Sequence, residues 1–301
     1  MTICCGSNAL CSRGTVIDSF NNLVDIANPD RETRRILKVG VPLTLAAVSE
    51  SFFNAITVAL ISKYLGVNAL TDFVVTNLLI GLSDTFIKGV AHSLNTVCSH
   101  AIGAENYDLA GQYVQIASLL YLAFAIPAMG VWWFLIDDCI RLFGMNEQVV
   151  QMGTEYTKVV IFEYVARGIF DAYTALLDIN GHALPATIFD IITDAMGCVV
   201  TWALMAYVDG YDLFWVGVTM LASTICCFIV FTLVAVLKGW LDPFWNGMIK
   251  TFALKNTSAV KNVLNTAIPL AFGSLLEYGE VSCRLYKQSF LLRYQTLLNC
   301  C

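Results

Sequence analysis

Two glutamates stand in an apolar stretch near the end of the sequence. Glu277 and Glu280 follow the run from Ala267 to Leu276 and share one helix face, because they are three residues apart. A charged side chain at the centre of a bilayer costs roughly 2.5 to 3.5 kcal/mol on insertion scales, so such a residue indicates a partner, a water-filled cavity or a function. Tyr278 adds an aromatic ring. The pattern predicts a cavity that attracts organic cations by charge and by cation–π interaction.

A second acidic pair lies upstream, where Asp190 and Asp194 are one helical turn apart with no basic neighbour in the sequence. Two carboxylates at this spacing repel each other, so we expect them to share a proton or to bind a cation. Asp190 follows Pro185 closely, and an exposed position at the mouth of a helix is the alternative for it. The pair is a candidate cation site.

Asp84, Lys88 and His92 occupy positions i, i+4 and i+8 of one apolar stretch, which places them on a single helix face. One interpretation is a proton relay, because histidine titrates near neutral pH. The other is a satisfied Asp–Lys ion pair beside a polar histidine. The spacing is compatible with both.

Glu163, Arg167 and Asp171 repeat this spacing, with an arginine flanked by carboxylates one turn to either side. That arrangement nearly neutralises itself and predicts a structural intrahelical ion pair.

Glu50 lies in the middle of the first apolar stretch, with Ser51 beside it and Asn54 one turn further on. Glu50 has two interpretations. It is either a protonated glutamate that is hydrogen-bonded to these polar neighbours, or a residue that contacts the substrate.

The composition identifies the elements that must position these groups. Hydrophobic residues make up 57% and charged residues 13% of the chain, and the mean hydropathy is +0.69, whereas soluble domains average about 45 to 50% and about 25%. This is an integral, multi-pass membrane protein in contact with the lipid bilayer.

A net charge of −6 with scattered basic residues excludes nucleic-acid binding. No phosphate loop, nucleophile motif or metal helix occurs, so we predict no enzyme and no cofactor.

Seven stretches are long and apolar enough to span a bilayer, and the short links between the first six predict antiparallel neighbours. The fold class is all-α, a polytopic transmembrane bundle of about six to seven spans. The predicted spans are 37–61, 70–99, 112–136, 149–176, 186–208, 213–237 and 262–283. The chain divides into an N-terminal tail (1–35), a six-helix lobe (36–238), an amphipathic connector (239–261), a seventh span (262–283) and a divergent C-terminal tail (284–301).

Basic residues near the span ends predict the orientation. Two groups flank the six-helix lobe, and six crossings separate them, so both lie on one side of the membrane. They are Arg31, Arg34, Arg35 and Lys38 before the first span, and Lys238, Lys250, Lys255 and Lys261 after the sixth. The positive-inside rule makes that side, with the N-terminus and the connector, cytoplasmic.

Several fragments, taken in order, resemble the multidrug and toxic compound extrusion family of cation-coupled antiporters. The fragments are Lys38-Val-Gly-Val-Pro42, Tyr64-Leu-Gly66, Leu94-Asn95-Thr-Val-Cys-Ser99-His100-Ala-Ile-Gly103, Leu142-Phe-Gly144, Asn180-Gly-His-Ala-Leu-Pro185, and Ala267-Ile-Pro269 followed by Glu277. The resemblance covers residues 36–280.

The resemblance implies one lobe of a two-lobed, twelve-helix transporter that exports organic cations, drugs or metabolites against H⁺ or Na⁺. It implies that Glu277 helps to bind substrate and coupling cation. This sequence departs from the family pattern in its first span, which has no aspartate, and in its fifth, where Asp194 and Cys198 stand at polar positions of the family.

The sequence beyond Glu280 leaves the family pattern, which predicts a truncated half whose second lobe is missing. Two alternatives remain, a non-transporting membrane fragment and a seven-helix receptor, the latter suggested by the number of spans.

Overall fold

The computed structural model describes residues 31–250 and 252–299. The side chains of residues 31, 32, 34–36, 39, 250 and 280–299 lie outside this description. Most of the predicted N-terminal tail, residues 1–30, and the last two residues also lie outside it.

Seven α-helices make up most of the described chain. They are α1 (Arg31–Tyr64), α2 (Gly66–Gly103), α3 (Tyr107–Leu142), α4 (Glu147–Leu177), α5 (Ala183–Tyr207), α6 (Leu213–Leu237) and α7 (Thr257–Asn299). The prediction of an all-α polytopic bundle is confirmed. The last helix continues without a break past residue 283, where the sequence predicted the end of the seventh span.

Short polar caps separate the helices. The side chains of Asn106, Asn146 and Asp212 accept hydrogen bonds from backbone N–H groups of the first turns of α3, α4 and α6, at 3.0, 3.0 and 3.3 Å. These bonds satisfy donors that the helix itself leaves unpaired. The links between these helices are only a few residues long, so each helix must return beside the preceding one.

Six described segments are long and apolar enough to cross a membrane, judged by length and composition. One of them, Glu147–Tyr207, has 61 residues and contains both α4 and α5. The chain turns within it at Gly181, whose φ of 87° favours glycine because a Cβ is strained there. The number of segments agrees with the predicted six to seven spans.

The bundle is built around α2, which contacts α1, α3, α4 and α7. The contact with α7 is close, because a Cβ built on Gly89 would lie 2.6 Å from the backbone nitrogen of Ala271. Small residues at a crossing let two helix backbones approach in this way. This close approach fixes how α7 is placed on the side of the lobe.

Apolar side chains pack mainly at the two ends of the bundle. We call the end where α1 starts and α2 ends the first end, and its core includes Leu94, Phe231 and Phe244. At the second end, the core includes Ile61 and Tyr156. The ion pairs of Asp84 and Arg167 described below join residues of α2, α4 and α5 that lie between these two cores in the sequence of each helix.

The connector between α6 and α7 consists of short helical turns at Asp242–Phe244, Asn246–Lys250 and Ala253–Lys255. The side-chain amide of Gln115 on α3 makes two hydrogen bonds to the connector. It donates to the carbonyl of Met248 at 3.3 Å and accepts from the N–H of Ala253 at 2.6 Å. Asn256 accepts from the N–H of Ala259 and so begins α7. The connector is thereby attached to the first end of the lobe.

Candidate functional site

The middle of α2 carries a buried ion pair. The ammonium of Lys88 lies 3.1 Å from a carboxylate oxygen of Asp84, one turn earlier, and the Asp84 side chain is only 8% exposed. This confirms the ion pair that the i, i+4 spacing predicts. A lysine or an aspartate buried alone inside an apolar bundle is strongly destabilising, and in this pair each charge compensates the other.

Arg167 forms the centre of a second group of charges. Its Nε donates to Glu163 at 2.9 Å on the same helix, as predicted, and its two terminal nitrogens lie 3.3 and 3.4 Å from Asp194 on α5. Thr224 on α6 donates to the same Glu163 oxygen at 3.3 Å. The guanidinium thus joins α4 to α5, because its planar donors can serve two carboxylates at once, and the Thr224 bond to Glu163 adds α6 to the group.

The two groups of charges meet through Asp171. The Lys88 ammonium lies 3.9 Å from an Asp171 oxygen, so α2 and α4 are connected by a second, longer ion pair. Two basic side chains thus stand among four carboxylates, an excess of negative charge in the middle of the lobe. Such an excess attracts cations.

Three cavities open around this network. Their volumes are about 220, 410 and 450 Å³, and Glu50 and Lys88 line all three. The 220 Å³ cavity reaches the Arg167 group, including Glu163 and Asp194. Glu50 is exposed on the inner side of α1 and, within the described part of the chain, makes no ion pair. It is thus a carboxylate available to a ligand.

The 410 Å³ cavity brings together more of the predicted residues. His92 is exposed and Asp190 half-buried, and both line this cavity with Asp194. Asp171 and Asp178 line it as well. We expected Asp190 and Asp194 to depend on each other because no basic residue is near them in sequence. The structure gives Asp194 a basic partner from another helix, Arg167, and leaves Asp190 facing the cavity.

The two glutamates of α7 are placed differently. Glu277 is exposed and lines none of the three cavities, whereas its neighbour Tyr278 lines the 450 Å³ cavity. The Tyr278 hydroxyl lies 3.4 Å from the carbonyl of Leu78 as a donor. The side chain of Glu280 lies outside the described residues. A substrate-binding role for either glutamate stays a prediction.

Some residues of the network are not among the site residues that the sequence predicts. The sequence predicts Glu163, Arg167 and Asp171 as a structural ion pair, and it gives Lys88 only as the neighbour of Asp84 and His92 on one helix face. Their i, i+4 spacing marks two helix faces, but only the packing of α2 against α4 shows that the faces meet. Asp72 was also missed. It is fully buried on α2, and among the described residues neither of its carboxylate oxygens has a hydrogen-bond partner.

A family model described as MatE matches residues 42–203, more than half of the chain. The chain belongs to the MatE family. Protein DETOXIFICATION 15 of Arabidopsis thaliana is 23% identical over 121 residues, which cover 40% of this chain and 25% of that protein. Protein DETOXIFICATION 49 of the same plant is 19% identical over 271 residues, 87% of this chain and 51% of the relative. The matched region thus spans between a quarter and a half of the length of these relatives.

Solved structures show the same fold. The eukaryotic MATE transporter AtDTX14 superimposes with a TM-score of 0.71 at 19% identity, over 82% of this chain and 54% of that one. An outward-facing multidrug resistance MATE transporter gives 0.68 at 15% identity, over 80% and 52%. The chain thus has the fold of one lobe, about half of a MATE structure.

These matches confirm the resemblance that the sequence fragments carried. The MatE family consists of multi-pass membrane transporters and is non-enzymatic, so the predictions of an integral membrane protein and of no enzyme are confirmed. Membership in this family favours the transporter interpretation over the seven-helix receptor.

Proposed function

We propose that the chain is the N-terminal lobe of a cation-coupled antiporter that exports organic cations, drugs or metabolites. The observation that carries this proposal is the acidic lining of the central cavities. Five carboxylates and two basic side chains line the 410 Å³ cavity. A cavity of this charge favours cationic ligands, and its size suits a small organic molecule.

Exchange follows from competition for the same carboxylates. A proton or sodium ion and an organic cation both neutralise an acidic side chain, so binding of one weakens binding of the other. Glu50 is the central candidate, since it lines all three cavities. Asp190 and Asp194 extend the acidic lining of the 410 Å³ cavity, and His92 adds a titratable imidazole to it. We leave the coupling ion as either H⁺ or Na⁺.

A second lobe of similar fold completes the cavity in this proposal, whether it belongs to the same polypeptide or to another. The solved relative AtDTX14 is about twice as long as the region that this chain matches. Glu277 is exposed on α7, and we place its predicted role in substrate binding at the surface between the two lobes.

We also propose that the N-terminus is cytoplasmic, from the basic residues that flank the lobe. Asn256 begins a glycosylation sequon at the first end of the bundle and donates to Gln112 at 2.9 Å. A cytoplasmic first end predicts that Asn256 stays unmodified when the chain is inserted into endoplasmic reticulum membranes. Glycosylation at Asn256 would show that the first end is not cytoplasmic and would overturn the proposed orientation.

The function is tested by binding of a fluorescent organic cation, ethidium, to the purified chain in lipid nanodiscs. We expect saturable binding that protons or Na⁺ displace, and a loss of about tenfold in affinity for Glu50→Gln, the equivalent of about 1.4 kcal/mol. Glu105→Gln is the matched control, because Glu105 is exposed in the turn after α2. Equal affinity in both variants and the wild type would overturn the proposed site.

A further inference from the structure

The network contains two basic side chains, and they are held very differently. Arg167 has three nitrogens within 3.4 Å of two carboxylates, so its position is fixed. Lys88 has one close partner, Asp84 at 3.1 Å, and one distant partner, Asp171 at 3.9 Å. Its ammonium is a compact charge on a flexible four-carbon stem. Lys88 is therefore the basic group of this network that can change partner with little movement.

The two partners of Lys88 belong to different cavities. Asp84 lines the 450 Å³ cavity, while Asp171 lines the 410 Å³ cavity. The Asp84 side chain is 8% exposed and that of Asp171 is 40% exposed. Lys88 itself lines both cavities. The lysine is thus in reach of ligands that enter from either one.

The cavities follow one another along α2. On this helix the 450 Å³ cavity is lined from Phe73 to Lys88, and the 410 Å³ cavity from Lys88 to Asn95. A helix rises about 1.5 Å per residue, so the lining from Phe73 to Asn95 extends over about 33 Å, roughly the thickness of the hydrocarbon core. Lys88 stands where the two linings meet.

We propose that Lys88 is a tethered cation that alternates between Asp84 and Asp171 and so determines which of these two carboxylates is free to bind a ligand. The idea rests on the proposed cation transport. A cation that enters the 450 Å³ cavity binds Asp84 and displaces the ammonium to Asp171. A cation that enters from the other side binds Asp171 and returns the ammonium to Asp84. Of Asp84 and Asp171, only one is free at a time, so cation binding at these two carboxylates is mutually exclusive.

The sharing of Lys88 is tested without any ligand by thermal unfolding of the purified chain. Asp84→Asn and Asp171→Asn should each lower the melting temperature modestly, since the ammonium keeps the other carboxylate. The double variant leaves Lys88 unpaired, and its loss should exceed the sum of the two single losses. If Asp171→Asn has no effect and Asp84→Asn equals the double variant, Lys88 is only the static partner of Asp84 and the proposal is wrong.

If the double variant fails to fold, a third substitution shows whether the unpaired Lys88 is the cause. Adding Lys88→Met removes the unpaired charge, so the triple variant should recover a folded, monodisperse protein in detergent. A triple variant that also fails to fold would show that the loss has another cause and would overturn the sharing of Lys88.

Ethidium binding tests the competition. Lys88→Met frees both carboxylates, so we expect affinity to rise about tenfold, whereas Lys158→Met, at an exposed position of α4, should leave it unchanged. If Lys88→Met binds ethidium with the same affinity as the wild type, the tethered-cation proposal is wrong, while the proposed function is not affected. Absence of ethidium binding in the wild type and in Lys88→Met contradicts the proposed function, while the unfolding experiment still decides whether Lys88 is shared.

Discussion

Removing the guanidinium of Arg167 is the most direct test of the central network. Arg167→Met keeps a long, unbranched side chain but leaves two carboxylates without their basic partner. These side chains are buried, with Glu163 at 9% and Asp194 at 11% exposure. Loss of one member of a buried pair costs about 3 to 5 kcal/mol, because the remaining charge is uncompensated. The network predicts a large loss of stability.

Two features of the site reduce this figure. The Arg167 side chain is itself 30% exposed, so water already screens part of the interaction. Glu163 also keeps its hydrogen bond from Thr224 at 3.3 Å. We therefore expect a loss of about 2 to 4 kcal/mol for Arg167→Met. Arg167→Lys retains the charge but loses the fork that reaches two helices, and we expect about 1 to 2 kcal/mol.

The measurement is unfolding of the purified chain by denaturant in detergent, followed by tryptophan fluorescence. The matched control is Arg141→Met, because Arg141 also pairs with a carboxylate, Glu147 at 2.6 Å, but at the exposed turn between α3 and α4. Exposed pairs contribute about 0 to 1 kcal/mol. Equal losses for the two arginine variants would refute the reasoning, because burial is what distinguishes them.

A neutral version of the network separates charge from packing. Adding Glu163→Gln and Asp194→Asn to Arg167→Met removes the unpaired charges and should restore most of the lost stability. Persistent instability in this triple variant would show that the side chain of Arg167 stabilises the lobe through its packing and not through its charge.

Three further substitutions test the packing of the lobe by the same unfolding measurement. Gly89→Ala should cost about 1 to 3 kcal/mol, because its Cβ would meet the backbone of α7, whereas Gly130→Ala, with open space around it, should be neutral or slightly stabilising. Asp72→Leu keeps the side-chain shape and removes two unpaired oxygens, so we expect a gain of about 1 to 3 kcal/mol, and a loss would indicate a polar partner. Gly181→Ala should cost about 1 to 2 kcal/mol because of its positive φ, and an unchanged midpoint would contradict that conformation.

Much of the fold could be predicted from the sequence, because apolar length and short polar links are local properties. The helix caps at Asn106, Asn146 and Asp212 are such local signals, and each stands directly before the first residue of a helix. The ion pairs within α2 and α4 follow from the i, i+4 spacing alone. Those parts of the site needed no knowledge of how the helices pack.

The contacts between helices could not be predicted in this way. Asp194 has no basic residue near it in the sequence, and its partner Arg167 lies 27 positions earlier, on a helix that packs beside α5. Lys88 and Asp171 are further apart still. Charges at the same depth in a bundle pair because burial is costly, but the sequence does not state which helices are neighbours.

The position of Glu277 shows how a single crossing decides which side chain faces the cavity. Ala271 and Tyr278 are seven residues apart, about two turns, so they share one face of α7. On α2, Gly89 and Gly81 are eight residues apart and also share a face. Ala271 lies against Gly89, and a Cβ on Gly81 would lie 3.0 Å from the Tyr278 hydroxyl. Because successive residues are rotated by about 100°, fixing Tyr278 over Gly81 turns Glu277 away from α2. The small residues of α2, more than the acidic ones of α7, therefore determine which group of this helix reaches the cavity.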